Sequence, residues 1–376
     1  MIEKIDLKNL DKSTWETYRF EEIANKISET VDPSKTDLEV YVGLEHLDAE
    51  DIHIRRKGVP ADVKGGKLRC YPGDMIFGKR RAYQRKAAIV DFDGICSAHA
   101  FVFRANPEVI DPELFPFFLH SDEFMHRMVD ISVGGLSPTI NWGDLKHQEF
   151  LLPPKAEQAR LAKLLWAMDE VIEREKEVLE SIETNDLSQL KHYFYDDKNS
   201  VRIKLKNLVT IKKGKKPSIL VDGGEGLPYC TAQYLRTGIV EQIVPEKAYK
   251  SAVKITNEDI LVLWDGSNAG EMLFGKEGFL ASTMCKLNIV SDDFLQDFIF
   301  HFLRFKTNDI KRATVGSAIP HVDPGMIENI GIPKLDLKIQ KEVISIFESI
   351  NSNKAIMSEN ISSSQTLLKS LIKQVF

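Results

Sequence analysis

The chain has 376 residues, 43% of them hydrophobic and 28% charged, with a formal net charge of −6. That length accommodates two domains with separate cores, and the composition is that of an ordinary globular protein. The net negative charge argues against a protein that coats nucleic acid through bulk electrostatics, although it is compatible with local basic surfaces. The four cysteines form no Cys-x-x-Cys pair, which argues against a zinc site. The chain shows neither a membrane-length apolar run nor an apolar signal sequence at residues 1–6, so we expect it to be cytoplasmic.

The first half of the chain alternates predicted strands and turns before it becomes helical. Turn residues at 71–74 lead into an apolar segment at 75–78, as expected for a strand that begins after a tight turn. Further strands are predicted at 38–42, 87–91 and 100–103. A helix is predicted from Pro112 through Met128, with Asp111 as its N-cap.

The second half repeats this order. The segment 257–262 matches 72–77, and the segment that begins at Val315 matches the one that begins at Val133. At the same offset that relates these two valines, Gln340 corresponds to Gln158. The period is several times longer than the roughly 20–50 residues of a solenoid repeat, so it predicts a duplicated domain.

Each half ends in a long amphipathic pattern without internal proline or glycine, which is typical of a helix pair or coiled coil. We predict a mixed α/β fold with two similar globular domains, joined by two long helices that form an antiparallel coiled-coil spacer with pseudo-two-fold symmetry. The predicted boundaries are 1–154 for the first domain, 155–195 for the first spacer helix, 196–334 for the second domain and 335–376 for the second helix. The predicted seam comprises Leu161, Leu165, Met168, Ile172, Leu179, Ile182, Val343, Ile346, Ile350, Met357, Ile361 and Leu368.

Catalytic signatures are missing from the sequence. The segment 270–276 approaches the phosphate-loop pattern, but Glu277 stands where a Ser or Thr must bind magnesium. There is no Gly-x-Gly-x-x-Gly segment, and the histidines lack metal-ligand spacing. We therefore expect no catalytic residues, no bound metal and no cofactor in this chain.

Clusters of basic residues are the sequence feature that indicates a binding partner. They occur in the part of each half where the two copies differ, and they combine Lys and Arg with Tyr and Gln, which favours contacts with phosphates and base edges. The predicted DNA-binding residues are Arg55, Arg56, Lys57, Lys79, Arg80, Arg81, Tyr83, Arg85 and Lys86 in the first half, and Lys212, Lys213, Lys215, Lys216, Gln233 and Arg236 in the second.

Together these features resemble the DNA specificity (S) subunits of type I restriction-modification systems, over essentially the whole chain. The most specific part is the junction that runs from Gly134 and Pro138 through Leu152-Pro153-Pro154 to Glu157-Gln158, with Asp169 and Ile172 beyond. The second copy keeps Gly316, Pro320, Pro333 and Gln340 but is more degenerate, with Lys341 and Ser345 as departures.

The resemblance implies two target-recognition domains that each recognise one half of a split, asymmetric DNA target. The spacer helices are expected to bind two methyltransferase (M) subunits, and motor-nuclease (R) subunits join through the complex. S-adenosylmethionine, magnesium and ATP would then belong to those partners, and the chain itself would be non-catalytic.

Two other classes of protein stay open at this point. One is a scaffold that binds proteins rather than DNA and assembles through its helices; absence of DNA affinity in the presence of a methyltransferase partner would favour it. The other is an enzyme with an unrecognised site, which binding of S-adenosylmethionine by the isolated chain would indicate.

The length of the predicted helices also bears on the DNA target. About 35 helical residues would span roughly 50 Å, so we expect helix length to set the number of unspecified base pairs between the two halves of the target.

Overall fold

The structure is a computed structural model that describes residues 10–191, 193–194, 201–316 and 320–376, without the side chains of residues 183 and 185–190. A polar segment at 196–200, which the sequence predicts to link the first long helix to the second domain, and the segment 317–319 lie outside the described part. The chain divides into two compact units. The first comprises the described residues up to Val178 together with Met357–Phe376, and the second comprises Leu179–Ile356.

The larger sheet of the first unit has four antiparallel strands and is buried on both faces. Its apolar strands alternate between two cores, because successive side chains of a strand point to opposite faces. Phe77 and Phe103 pack into an aromatic cluster with Phe20, whereas Ile76 and Val102 pack toward the smaller sheet. The strand order is Ala24–Ile27, Ala100–Ala105, Met75–Gly78 and Ala87–Ile89.

The second unit builds the same sheet from the corresponding segments. Its order is Val209–Lys213, Met284–Ile289, Ile260–Leu263 and Met272–Phe274. The duplication predicted from the sequence is therefore confirmed, and the fold is mixed α/β with two similar units. Since Met272–Phe274 is a strand, the segment that approaches the phosphate-loop pattern does not form the strand–loop–helix unit that such a loop requires.

The turn that precedes the strand Met75–Gly78, like its counterpart before Ile260–Leu263, has a physical cause. The side chain of Asp74 accepts a hydrogen bond from the Tyr71 N–H at 3.0 Å, and that of Asp259 accepts one from the Thr256 N–H at 2.8 Å. Each aspartate also binds a cation, Arg104 in one unit and Lys286 in the other. In both units, the carboxylate therefore stabilises the turn directly before this strand.

The smaller sheet shows where the copies diverge. Both units share a parallel pair, Val40–Val42 with Gly94–Cys96 and Leu227–Cys230 with Gly278–Leu280, flanked on one side by Lys67–Cys70 or Lys254–Ile255. The first unit adds Thr30–Val31 beyond Lys67–Cys70, whereas the second adds Ile243–Val244 beyond Leu227–Cys230. The fourth strand is therefore attached at opposite edges.

The helix predicted from Pro112 through Met128 is two helices, and the prediction of a single one was wrong. They are Phe115–His120 and Asp122–Asp130. Ser121 separates them because its backbone is extended and its Oγ caps the second helix by accepting from Phe124 N. The corresponding segment of the second unit is likewise divided, into Gln296–Phe305 and Thr307–Arg312.

Short elements complete each unit. A two-stranded ribbon leads into each long helix, Glu16–Arg19 with Glu149–Leu152 and Arg202–Lys204 with Gly331–Pro333. In the described part of the chain, the remaining short α-helices are Phe20–Ile23, Trp142–Leu145, Ala232–Thr237 and Pro324–Glu328.

The two long helices cover Lys155–Lys191 and Leu337–Val375, each about 55–60 Å long at 1.5 Å per residue. None of the helices in the described part of the chain is long and apolar enough to cross a membrane.

A buried glutamine joins the start of each long helix to its unit. The Oε1 atom of Gln158 accepts from Asp111 N, and its Nε2 donates to the carbonyls of Val109 and Pro153. Gln340 repeats the pattern with Leu295 N, Asp293 O and Leu335 O, all at 2.8 Å. Both side chains are at most 1% exposed, so these hydrogen bonds form where water cannot replace them.

Within the first unit, the beginning of the first long helix packs against the end of the second. Leu161 and Leu165 share a buried cluster with Ile372 and Val375, which establishes an antiparallel pairing of these segments. Of the predicted seam, Leu161, Leu165, Ile172 and Val343 are buried. The others are half-buried: Met168, Leu179, Ile182, Ile346, Ile350, Met357, Ile361 and Leu368.

Candidate nucleic-acid interface

The first junction loop, residues 133–140, is held at its base by backbone hydrogen bonds. Val133 and Thr139 exchange two of them, at 3.1 and 2.9 Å. The second arm of the loop also binds the residues that follow the strand Met75–Gly78, through Arg81 N to Pro138 O at 2.8 Å and Ile140 N to Lys79 O at 3.0 Å. The loop therefore stands on a rigid base beside the cluster at Lys79–Arg81.

The second junction loop, residues 315–322, has the same base. Val315 and His321 exchange hydrogen bonds at 3.0 and 2.9 Å, Gly266 N donates to Pro320 O at 2.9 Å, and Val322 N donates to Trp264 O at 2.9 Å. These residues are the repeat equivalents of those that hold the first loop. Both units thus present the same backbone arrangement at the same place.

In the first unit, this base carries free positive charge. Arg80 and Arg81 are exposed, and no residue in the described part of the chain forms an ion pair or side-chain hydrogen bond with either. Lys79 lies 5.3 Å from the Phe101 ring, and burial together with nearby Lys26 and Arg80 lowers its pKa. Tyr83 is 56% exposed, one turn beyond. These four predicted residues are brought together on one surface.

In the second unit, the positions equivalent to Arg80 and Arg81 are Asp265 and Gly266. Asp265 pairs with Lys213 at 2.9 Å, so one of the predicted lysines is neutralised locally. Lys212, Lys215 and Lys216 are exposed, as is Gln233 on the short helix Ala232–Thr237. Arg236 on that helix forms an ion pair with Glu271.

The remaining predicted residues of the first unit have partners within the protein. Arg56 pairs with Asp48 and Lys57 with Asp91. Lys86 donates to the Leu44 carbonyl at 2.7 Å. Arg85 lies between Glu50 and Asp122, at 3.2 and 2.8 Å. Their role in DNA binding stays a prediction, but each side chain would have to exchange an existing partner for a phosphate.

Arg55 belongs to a polar network that joins the loop at 51–55 to the first long helix. Its guanidinium binds Asp51 at 2.8 Å and Glu173 at 2.7 Å, and His53 Nε2 lies 2.8 Å from Asp169 Oδ2. The hydrogen bond with Asp169 raises the pKa of His53. Burial alone would raise the pKa of Glu173, but hydrogen bonds from Arg55 and Lys176 lower it to about 2.

The ligand atoms of His53, Asp169 and Glu173 lie within 4.8 Å of one another, which is close enough to consider a metal ion. However, Arg55 and Lys176 already bind the Glu173 oxygens. A divalent cation would have to displace them and would meet two positive charges. The cluster therefore has the character of a charge-compensated network that fixes the loop to the helix.

A cleft of about 570 Å³ lies beside this network, between the loop at 48–52 and the paired segments of the long helices. Its wall includes His120, whose Nε2 lies 2.7 Å from the Ala87 carbonyl. Burial lowers the pKa of His120 to about 4, so this imidazole is neutral at pH 7 and donates to that carbonyl. Glu50 in the same wall pairs with Lys369 of the second long helix.

Two features escaped the sequence reasoning. One is the exposed leucine at the tip of the first junction loop, Leu136, although the loop itself stood out as a repeat. The other is the set of acidic residues that pair with some of the predicted cations, namely Arg55, Arg56, Lys57, Arg85, Lys213 and Arg236. The alternation Asp51, His53, Arg55 could have indicated a polar strip facing a helix, but nothing in the sequence connects it to the distant Glu173.

Comparisons with known proteins agree with this duplicated architecture. A family model described as the type I restriction modification DNA specificity domain matches residues 12–184 and again residues 197–363. The MjaVIII specificity subunit of Methanocaldococcus jannaschii is 37% identical over 179 residues, which cover 46% of this chain and 41% of that protein. The MjaIX specificity subunit of the same organism is 25% identical over 330 residues, covering 78% of this chain and 76% of that protein.

Solved structures show the same fold. A chain from a study of complex assembly and conformational transition in the type I restriction-modification system aligns over 96% of this chain and 97% of that chain, with a TM-score of 0.64 and 18% identity. The S subunit of M. genitalium aligns over 98% of both chains, with a TM-score of 0.59 and 16% identity. With both of its halves matched by the family model, this chain belongs to the type I restriction modification DNA specificity domain family.

Proposed function

We propose that this chain is the non-catalytic DNA-recognition subunit of a type I restriction-modification complex. Each unit recognises one half of a split target, and the long helices separate the two halves and bind methyltransferase subunits. S-adenosylmethionine is held by those methyltransferases, and ATP and magnesium by the motor-nuclease subunits that join the complex.

The observation that carries the proposal is the repeated junction. Both units present a loop on the same backbone hydrogen bonds beside the same strand end, yet the side chains there differ. A duplicated scaffold with different chemistry at one position is what recognition of two unlike half-sites requires, because the scaffold fixes placement while the side chains select bases.

The charge distribution supports the same conclusion. Arg80 and Arg81 in one unit and Lys215 and Lys216 in the other are exposed basic pairs on a chain whose net charge is −6. Because like-charged side chains repel each other, a polyanion is the partner that such clusters favour.

The helices support the methyltransferase part of the proposal. Val171 and Val178 are 44% and 46% exposed, and they stand one heptad apart on one face of the first long helix. Apolar residues at this spacing suit a partner helix. Replacing both by Asp is expected to abolish co-purification of the methyltransferase, whereas Ser181→Asp, an exposed position on the same helix, retains it. Equal recovery with both variants would contradict docking on this face.

Methylation mapping tests the function directly. A host that lacks other adenine methylation would express this chain with its methyltransferase subunit, and its genome would be sequenced by a method that detects methylated adenine. We expect one asymmetric motif with two specified halves and an unspecified gap. The matched control expresses the methyltransferase alone and should show no motif; a motif in that control, or none with both subunits, contradicts the proposal.

A further inference from the structure

The tip of the first junction loop exposes an apolar side chain almost completely. Leu136 is 98% exposed, the highest value among the large hydrophobic residues in the described part of the chain. Single exposed leucines are common in proteins. Here, however, Val133 in the same loop and Tyr83 near its base are each 56% exposed as well, so an apolar and aromatic group faces solvent.

The loop projects this group instead of folding over it. Gly134 has a φ of +115°, a left-handed backbone that glycine adopts without strain, and the chain therefore changes direction directly after Val133. Beyond the tip, the hydrogen bonds of Pro138 and Thr139 fix the returning arm to the strand end. Leu136 is thus the apex of a loop whose base is immobilised.

Two arginines lie beside the returning arm of the loop, at its base. Thr139 pairs with Val133 on one side and Arg80 on the other, and Arg81 binds the adjoining carbonyl of Pro138. The surrounding charge also affects His99, whose pKa is lowered by burial and by Arg80, Lys79 and Lys67. An apolar tip rising from a basic surface fits a polyanion with an apolar interior, which describes duplex DNA better than it describes a protein groove.

We propose that Leu136 is a wedge that enters a groove of the target duplex and partly unstacks one base-pair step, while Arg80 and Arg81 bind the flanking phosphates. This inference rests on the proposed function and specifies how one unit engages its half-site. Leucine is among the side chains that act as wedges, and unstacking is offset by the contacts that the bent duplex then makes.

The wedge is a property of the first unit. At the repeat offset that relates Gly134 to Gly316, Leu136 corresponds to Ala318. Ala318 lies outside the described residues, and its single methyl group is too short to separate stacked bases. The strand end of the second unit carries Asp265 and Gly266 in place of the two arginines. The unstacked step is therefore expected in one half of the target, and that half is the one the first unit recognises.

The test uses the full chain with its methyltransferase subunit and a duplex that contains the mapped target. A fluorescent base analogue, 2-aminopurine or pyrrolocytosine, replaces one base at a time across both half-sites, and its emission rises when stacking is lost. With the wild-type chain we expect a several-fold rise at one step in one half-site. Leu136→Ala should abolish that rise and weaken binding about tenfold or more, with an unchanged salt dependence because no charge is removed.

Two variants serve as controls. Leu151→Ala removes another exposed leucine, on a strand paired with Thr17, and should leave both fluorescence and affinity unchanged. Arg80→Ala with Arg81→Ala should instead lower the salt slope by about 2, at roughly 0.9 for each phosphate that the protein no longer neutralises.

The possible results distinguish a failure of the wedge from a failure of the proposed DNA recognition. If the wild-type complex binds its target but no position brightens, or if Leu136→Ala keeps the brightening, the wedge is overturned and DNA recognition stands. If Leu136→Ala binds DNA normally but loses the methyltransferase, the loop is a protein-docking surface and the wedge is again overturned. Failure of the wild-type complex to bind any mapped target overturns both proposals.

Discussion

The two units use the same backbone hydrogen bonds to present their junction loops, and they place opposite charge beside them. Arg81 N and Gly266 N donate to equivalent proline carbonyls, at 2.8 and 2.9 Å. In the first unit the neighbouring side chain is the exposed Arg80; in the second it is Asp265, paired with Lys213. The two units therefore hold the junction loop in the same way, but the side chains beside it differ in charge.

A second contrast lies in the smaller sheets. The shared three strands are extended at opposite edges, by Thr30–Val31 in one unit and Ile243–Val244 in the other. The segment after the first strand of the parallel pair also differs. In the first unit it carries the polar network of Asp51, His53 and Arg55, and in the second it forms the helix Ala232–Thr237. The scaffold therefore tolerates change at the sheet edge, where edge strands are not constrained by neighbours on both sides.

Shortening both helices tests whether helix length sets the number of base pairs between the two half-sites. Deleting residues 182–188 and 349–355, which leaves Val171 and Val178 in place, removes one heptad from each helix, or about 10 Å. We expect methylation of the original target to be lost and a target with a gap shorter by about 3 base pairs to replace it. Deleting only one heptad should abolish the complex, because the pairing register is then broken. A double deletion that methylates the original gap would refute the measuring role.

Replacing the buried glutamines tests whether the two helix starts are equivalent. Gln158→Leu leaves the Asp111 N–H and two carbonyls buried without partners, and Gln340→Leu does the same in the second unit. We expect each to lower the free energy of unfolding in urea by about 3 kcal/mol. Gln365→Leu, at an exposed position, should change it by less than about 0.5 kcal/mol. Unequal losses would show that only one of these glutamines stabilises its unit.

Charge substitutions at the junction test the opposite chemistry of the units. Arg80→Ala with Arg81→Ala should reduce the salt dependence of DNA binding, whereas Asp265→Asn should raise affinity at low salt because it removes a negative charge and releases Lys213. Salt titrations of binding to the mapped target provide the measurement. Arg56→Ala, where the arginine is already paired with Asp48, is the matched control and should have a smaller effect. The contrast between the units fails if the two junctions respond with the same sign.

The smallest expected effect is a pH dependence confined to the first unit. The hydrogen bond with Asp169 raises the pKa of His53 above 6.5 in the folded state. Its contribution to stability is therefore complete below about pH 6.5 and is lost as the pH rises through the folded pKa. We expect His53→Ala to lower the melting temperature more at pH 5.5 than at pH 8.5. His147→Ala, on an exposed histidine near Glu21, is the control; an equal loss for His53→Ala at both pH values would contradict the charged pair.

Much of the fold follows from spacing alone. The repeat offsets correctly matched the turn at Asp74 to that at Asp259, the first junction loop to the second, and Gln158 to Gln340. The long helices also followed from their apolar period. The single helix expected between Pro112 and Met128 did not, because Ser121 binds Phe118 O and caps Phe124 N, and such a local competition is invisible in an apolar pattern.

The candidate interface was less predictable. Composition marked Arg55 and Arg80 alike, but Arg55 binds Glu173 of a distant helix, whereas Arg80 faces solvent. The same holds for Arg236, whose partner Glu271 lies on a different segment of the chain. Charge density in a sequence therefore identifies basic segments, while the availability of each cation depends on which acid the fold brings beside it.

The sequence by itself determined that the chain is a duplicated α/β protein with two amphipathic helices, because repeat offsets and apolar periods are properties of the chain alone. Tertiary structure decided which charges remain free, because ion pairs form between segments that are distant in sequence. It also revealed Leu136 as the apex of an immobilised loop. Exposure depends on tertiary packing, and no local sequence pattern distinguishes a buried leucine from a solvent-exposed one.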